Sequence, residues 1–153
     1  MKWLLISESS EQEIYELQNS SKKLLTLTFH PSSGTLRISG TDEKRVFLIG
    51  REGFLKRRTV LRNEYGIRVG QFNSDGAQDN QGSIDVDDEH YTYVFQNNPT
   101  SKAAVYRNNE LILVCDLPSF SKNNSGNENH DLLLVMLCWY LSTAVKKAVE
   151  EYA

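Results

Sequence analysis

The chain has almost no cysteine: Cys115 and Cys138 are the only two in 153 residues. Each sits inside an apolar run, where a free thiol behaves as a small hydrophobe. Their placement offers neither a disulfide framework nor zinc-ligand spacing. Positive charge is not in excess either. With 17 Lys and Arg against 20 Asp and Glu the net charge is -3. That excludes a global attraction to nucleic acid or to an anionic membrane, so a polyanion could be held only by a local patch. At the N-terminus, Met1-Lys2 is followed only by Trp3-Leu4-Leu5-Ile6 before Ser7 and Glu8, shorter than the roughly 7–15 residues of a signal-peptide core. A cytoplasmic location is expected. The one long apolar stretch, Leu132 to Leu141, meets Ser142-Thr143 and then Lys146-Lys147 before reaching the roughly 20 residues of a membrane span. No transmembrane helix is expected.

The length fits one domain covering residues 1–153, with a substantial core. Most of the chain alternates with period two. Leu25, Leu27 and Phe29 alternate with Thr26 and Thr28; Leu36 and Ile38 resume the pattern after a His30-to-Gly34 turn. Val46 to Ile49, Phe54 to Leu61, Tyr65 to Phe72, Tyr91 to Gln96, Ala103 to Arg107 and Leu111 to Leu117 complete a series of expected strands. Asn108-Asn109 reads as a two-residue hairpin loop that tolerates positive φ. The acidic stretch from Asn73 to Glu89 and the Ser/Asn-rich stretch from Ser119 to Asn129 read as exposed loops. A helix follows over residues 130–151, with Asn129 as its cap and Asp131 favourably placed for the macrodipole.

That helix is apolar on every side through its first half, and such a helix must be enclosed. The remaining elements are strands, so the expected fold is mainly β: a closed antiparallel barrel around a central hydrophobic helix. An open antiparallel sheet with one packed helix, α+β, is the competing arrangement.

Tyr65-Gly66-Ile67-Arg68-Val69-Gly70-Gln71-Phe72 is similar to a glycine-bearing strand of the Tubby C-terminal-like superfamily, which includes LURP-one-related proteins and phospholipid scramblases. Tyr91 to Phe95, Cys115-Asp116-Leu117 and the helix from Asp131 resemble later elements of the same barrel. The resemblance implies a binding or lipid-associated module rather than an enzyme.

Arg51, Lys56, Arg57, Arg58, Arg62 and Arg68 cluster in two neighbouring expected strands that hold only Glu52 and Glu64 as acids. Lys56, Arg58 and Arg62 share one strand face and Arg57 the other; pairing of the strands would add Arg68 to the first group. Arg51, Lys56, Arg58, Arg62 and Arg68 are therefore the candidate site, with guanidinium forks suited to phosphate or carboxylate. An anionic lipid headgroup or an acidic partner protein is the expected ligand class, nucleic acid is not, and charge reversal at Lys56 and Arg58 should abolish binding. The alternative is a solvated face balanced by the acidic stretch. No metal or cofactor is expected: residues 85–90 lack an EF-hand pattern, and alternation sends Asp85 and Asp87 away from Asp88 and His90. No nucleophile motif or phosphate-cradling loop is present. A small hydrolase assembled from residues distant in sequence is the rival class, to be favoured by a pocket with a histidine beside a carboxylate.

Overall fold

The structure is a computed structural model and describes residues 1–53, 58–74, 80–97, 100–117 and 131–143. Among these residues eleven strands follow one another: β1 (Lys2–Glu8), β2 (Glu13–Asn19), β3 (Lys22–His30), β4 (Thr35–Ser39), β5 (Lys44–Glu52), β6 (Arg58–Arg62), β7 (Arg68–Ser74), β8 (Gln81–Val86), β9 (Glu89–Gln96), β10 (Lys102–Arg107) and β11 (Glu110–Asp116). One helix, α1, spans 131–143. Each strand pairs antiparallel with the next, and β1 and β11 close the barrel. The open-sheet alternative is excluded.

Turn chemistry explains the meander. Ser20-Ser21, Asp87-Asp88 and Asn108-Asn109 each place two successive residues at φ between 50° and 68°, the hairpin geometry whose twist matches that of the flanking strands. An odd number of up-and-down strands leaves the last running in the same direction as the first, so closure has to be parallel. It is also slight: Lys2 and Asp116 are the one ladder pair between β1 and β11, joined by the Asp116 N–H donating to the Met1 carbonyl at 2.9 Å.

The interior is filled. Residues 132–139 of α1 are buried on every side, and Trp3, Leu17, Leu27, Ile38, Phe47, Leu61, Ile84, Val86, Val105 and Cys115 close around them from successive strands. Trp3 stacks on Tyr15 with ring centroids 4.3 Å apart. Among the described residues the barrel interior is thus a packed core.

Three expectations are corrected. Asn73 to Glu89 is not one exposed loop, because β8 runs through it with Ile84 and Val86 inside and Asp87-Asp88 in the turn that follows; residues 75–79 lie outside the described residues. Tyr65 does not begin a strand. Residues 65–67 are a turn with Gly66 at φ +80°, and the strand starts at Arg68. The first 23 residues hold two further strands that the period-two pattern from Leu24 onward did not include. The proposed cap Asn129, the loop 119–129 and the helical continuation beyond Thr143 lie outside the described residues.

Candidate ligand-binding surface

Leu61 belongs to the core and Thr59 reaches the helix, so alternation puts Arg58 and Arg62 on the outer wall. Arg62 stands directly opposite Arg68 across the β6–β7 ladder, beside a register shift. The expected grouping of Arg58, Arg62 and Arg68 on one face therefore holds. They do not converge on one point, because four residues of strand put Arg58 about 13 Å from Arg62. Arg51 is separate from them. It pairs in register with the inward-facing Thr59 and lies at the lip of the barrel. Lys56 lies outside the described residues.

The guanidiniums of Arg62 and Arg68 are engaged. Arg62 forms an ion pair with Glu52 and donates to the Gly66 carbonyl at 3.2 Å, while Arg68 donates to the Gln71 side-chain oxygen. The shallow depression beside Arg68 is lined by Gln71, Asp85, Asp87 and Asp88. Asp85 and Asp87 have partners as well. Arg45 grips Asp87 with both amino groups at 3.1 and 2.9 Å while lying over the Phe47 ring. This wall is a mixed-charge ladder.

A constellation that sequence alternation missed lies next to it. His90 Nδ1 meets Asp85 Oδ1 at 2.6 Å, and Asn73 Nδ2 donates to Asp85 Oδ2 at 3.2 Å. Alternation counted straight through residues 85–90 separated the two side chains, but the Asp87-Asp88 turn reverses the chain and makes them cross-strand partners. The signal was available in the consecutive aspartates, which tolerate positive φ. A carboxylate on one ring nitrogen fixes the imidazole and leaves the other for proton transfer. Ser83 and Thr92 line the adjoining hollow. The site is open, with the His90 side chain 62% exposed, and the N–H groups of the ladder strands that carry it are committed to pairing, so among the described residues these strands supply no preorganised oxyanion donors.

At the lip of the barrel, a pocket of about 250 Å³ lies where β3, β5 and β6 meet the first turn of α1. Phe29, Pro31, Ile49 and Leu132 supply apolar walls; Arg51, Thr59 and Asp131 supply polar groups, with the Thr59 hydroxyl 3.5 Å from the Asp131 carboxylate. Both cysteines are buried, and burial pushes the Cys138 thiol far up and Cys115 up to about 12. Neither is a thiolate nucleophile at neutral pH. Among the described residues no group of three or more His, Cys, Asp or Glu is placed to hold a metal ion, and no helix is long and apolar enough to cross a membrane. Comparison with protein-family models, with curated proteins and with solved structures finds no match to this chain.

Proposed function

We propose that the protein is a non-catalytic binding module that recognises an anionic group, of the kind carried by a phospholipid headgroup, on the outer wall of β6 and β7. The observation that carries this reading is the direct opposition of Arg62 and Arg68 across the β6–β7 ladder, two arginines on one face with Arg58 further along it. Forked donors so placed suit a phosphate or carboxylate oxygen pair, and their bonds to Glu52, Gly66 and Gln71 orient them before a ligand arrives. The packed interior leaves recognition to the exterior. The similarity of residues 65–72, 91–95 and 115–117 to the Tubby C-terminal-like superfamily favours the same class.

The test is sedimentation with vesicles of phosphatidylcholine, with and without phosphatidylserine, at rising salt. Binding is expected only with the anionic lipid, to weaken as salt rises, and to be lost on Arg58→Glu with Arg68→Glu. Undiminished binding after that double reversal overturns the assignment to these arginines.

The Asp85–His90 pair favours a second reading, a hydrolase-like enzyme with His90 as general base. Its signature is turnover of an activated ester that His90→Ala abolishes while the thermal transition stays put. Equal turnover by both proteins removes it.

A further inference from the structure

Two of the most exposed large apolar side chains in the protein occupy one five-residue turn. Tyr65 is 82% and Ile67 61% exposed, and both lie between β6 and β7 at the apex of the hairpin whose stems carry Arg62 and Arg68. The turn is held tightly. The Asn63 side-chain oxygen accepts from the Tyr65 and Ile67 N–H groups, both at 3.0 Å, the Asn63 N–H donates to the Ile67 carbonyl at 2.9 Å, and the Gly66 N–H donates to the Asn63 carbonyl at 3.0 Å. Arg62 braces it from the side through the Gly66 carbonyl.

We propose that residues 63–67 form a membrane-interface anchor, in which Tyr65 and Ile67 enter the headgroup region of an anionic bilayer while Arg62 and Arg68 meet lipid phosphates at the stem. This rests on the headgroup reading above and specifies how that site engages its ligand. Charge contributes through Arg68, which bonds the neutral Gln71, whereas Arg62 is paired with Glu52 and the tip carries the carboxylate of Glu64. Shape supports it too. A specific protein interface covers about 800 Å² on each partner, far more than two side chains on a convex apex present. A fluid interface needs no matching surface, and tyrosine suits it because its ring is apolar and its hydroxyl wet. A preformed turn also loses little conformational freedom on insertion.

The full chain is tested with phosphatidylcholine vesicles, with and without phosphatidylserine, using Tyr65→Trp as a reporter and lipids brominated along the acyl chain as quenchers. The protein's other indoles, Trp3 and Trp139, are buried and provide the unquenched background. Quenching of the introduced indole is expected on anionic vesicles, together with an about tenfold weaker partition for Tyr65→Ser/Ile67→Ser. A thermal melt of that exposed-residue variant confirms folding. Binding to anionic vesicles that is unquenched and unchanged by the double variant overturns the anchor and leaves the arginine reading standing, as expected of a tip built for a protein pocket. Quenching of equal strength on phosphatidylcholine alone keeps the anchor and overturns the arginine reading. Absence of wild-type binding to any vesicle overturns both.

Discussion

Tyr91 is 1% exposed and its hydroxyl finds no hydrogen-bond partner among the described residues. A buried donor left unpaired loses its hydration without replacement. Tyr91→Phe is therefore expected to leave stability unchanged or raise it by about 1 kcal/mol, read from urea unfolding; a clear loss would reveal a partner. Gly70 is the opposite case. A side-chain carbon there would sit 2.2 Å from the backbone oxygen of Asp85 on β8 and 3.1 Å from Leu61, so Gly70→Ala is expected to destabilise by about 2 kcal/mol or more, measured in the same way.

The buried acids of the core set the alkaline limit of the fold. Burial, the first cause in each case, holds Tyr91 and Tyr93 at about 12 instead of 10.0 and Cys115 at about 12 instead of 9.0. A proton held more tightly in the folded state contributes stability that is complete below the unfolded pKa and is lost as pH rises through the folded one. The urea midpoint should thus show no pH dependence from these groups below about pH 9, then fall toward pH 12 as the unfolded chain ionises first. A midpoint that climbs across that interval contradicts the assignment.

At the scale of elements, the weak join is the seam. Asp116 turns its N–H toward β1, so Val114, two residues back on an antiparallel ladder, turns its N–H the same way. Beyond the Lys2–Asp116 pair the ladder between β1 and β11 stops, and Leu111, Ile112 and Val114 are all exposed. The Val114 amide is expected to exchange with deuterium well before Leu27 and Ile38, which lie within fully paired β3 and β4. Equal protection would show that the seam is closed by something further.

The elements also differ in how much of them could be read beforehand. Strands β3, β4 and β9 were legible because their apolar and polar residues alternate, β10 and β11 because two apolar runs flank Asn108-Asn109, and α1 because eight successive positions admit only apolar side chains. Strand β8 was not, since Asp85, Asp87 and the glycine and serine around them imitate a loop while Ile84 and Val86 alone face the core. The β6–β7 turn was hidden by Tyr65 and Ile67, whose alternation about Gly66 imitates a strand. Only the Asn63 side chain, capping two amides, decides otherwise.

At the scale of the molecule, the barrel and α1 share one core. The inward side chains of the strands pack on the helix, and without it they would enclose a void that close packing does not tolerate. A chain ending at residue 130 is expected to show no cooperative thermal transition and to bind a hydrophobic dye, checked by calorimetry and fluorescence. A sharp transition in that truncated chain would mean that the strands close without their plug.

The sequence alone determined the class of the fold, because a helix with no polar face has to be surrounded and this chain supplies mainly strands to surround it. It also put Arg58 and Arg62 on one face, since strand alternation is local; Arg68 joins them through the pairing of β6 with β7 and its register shift. Tertiary structure alone decided which groups meet across strands. Register and turns set Asp85 against His90, Arg62 against Arg68 and Arg45 against Asp87, and turned Arg51 away to the lip of the barrel. Those distances depend on where the chain reverses, and a reversal of two residues changes every cross-strand neighbour while leaving the composition and the alternation pattern almost untouched.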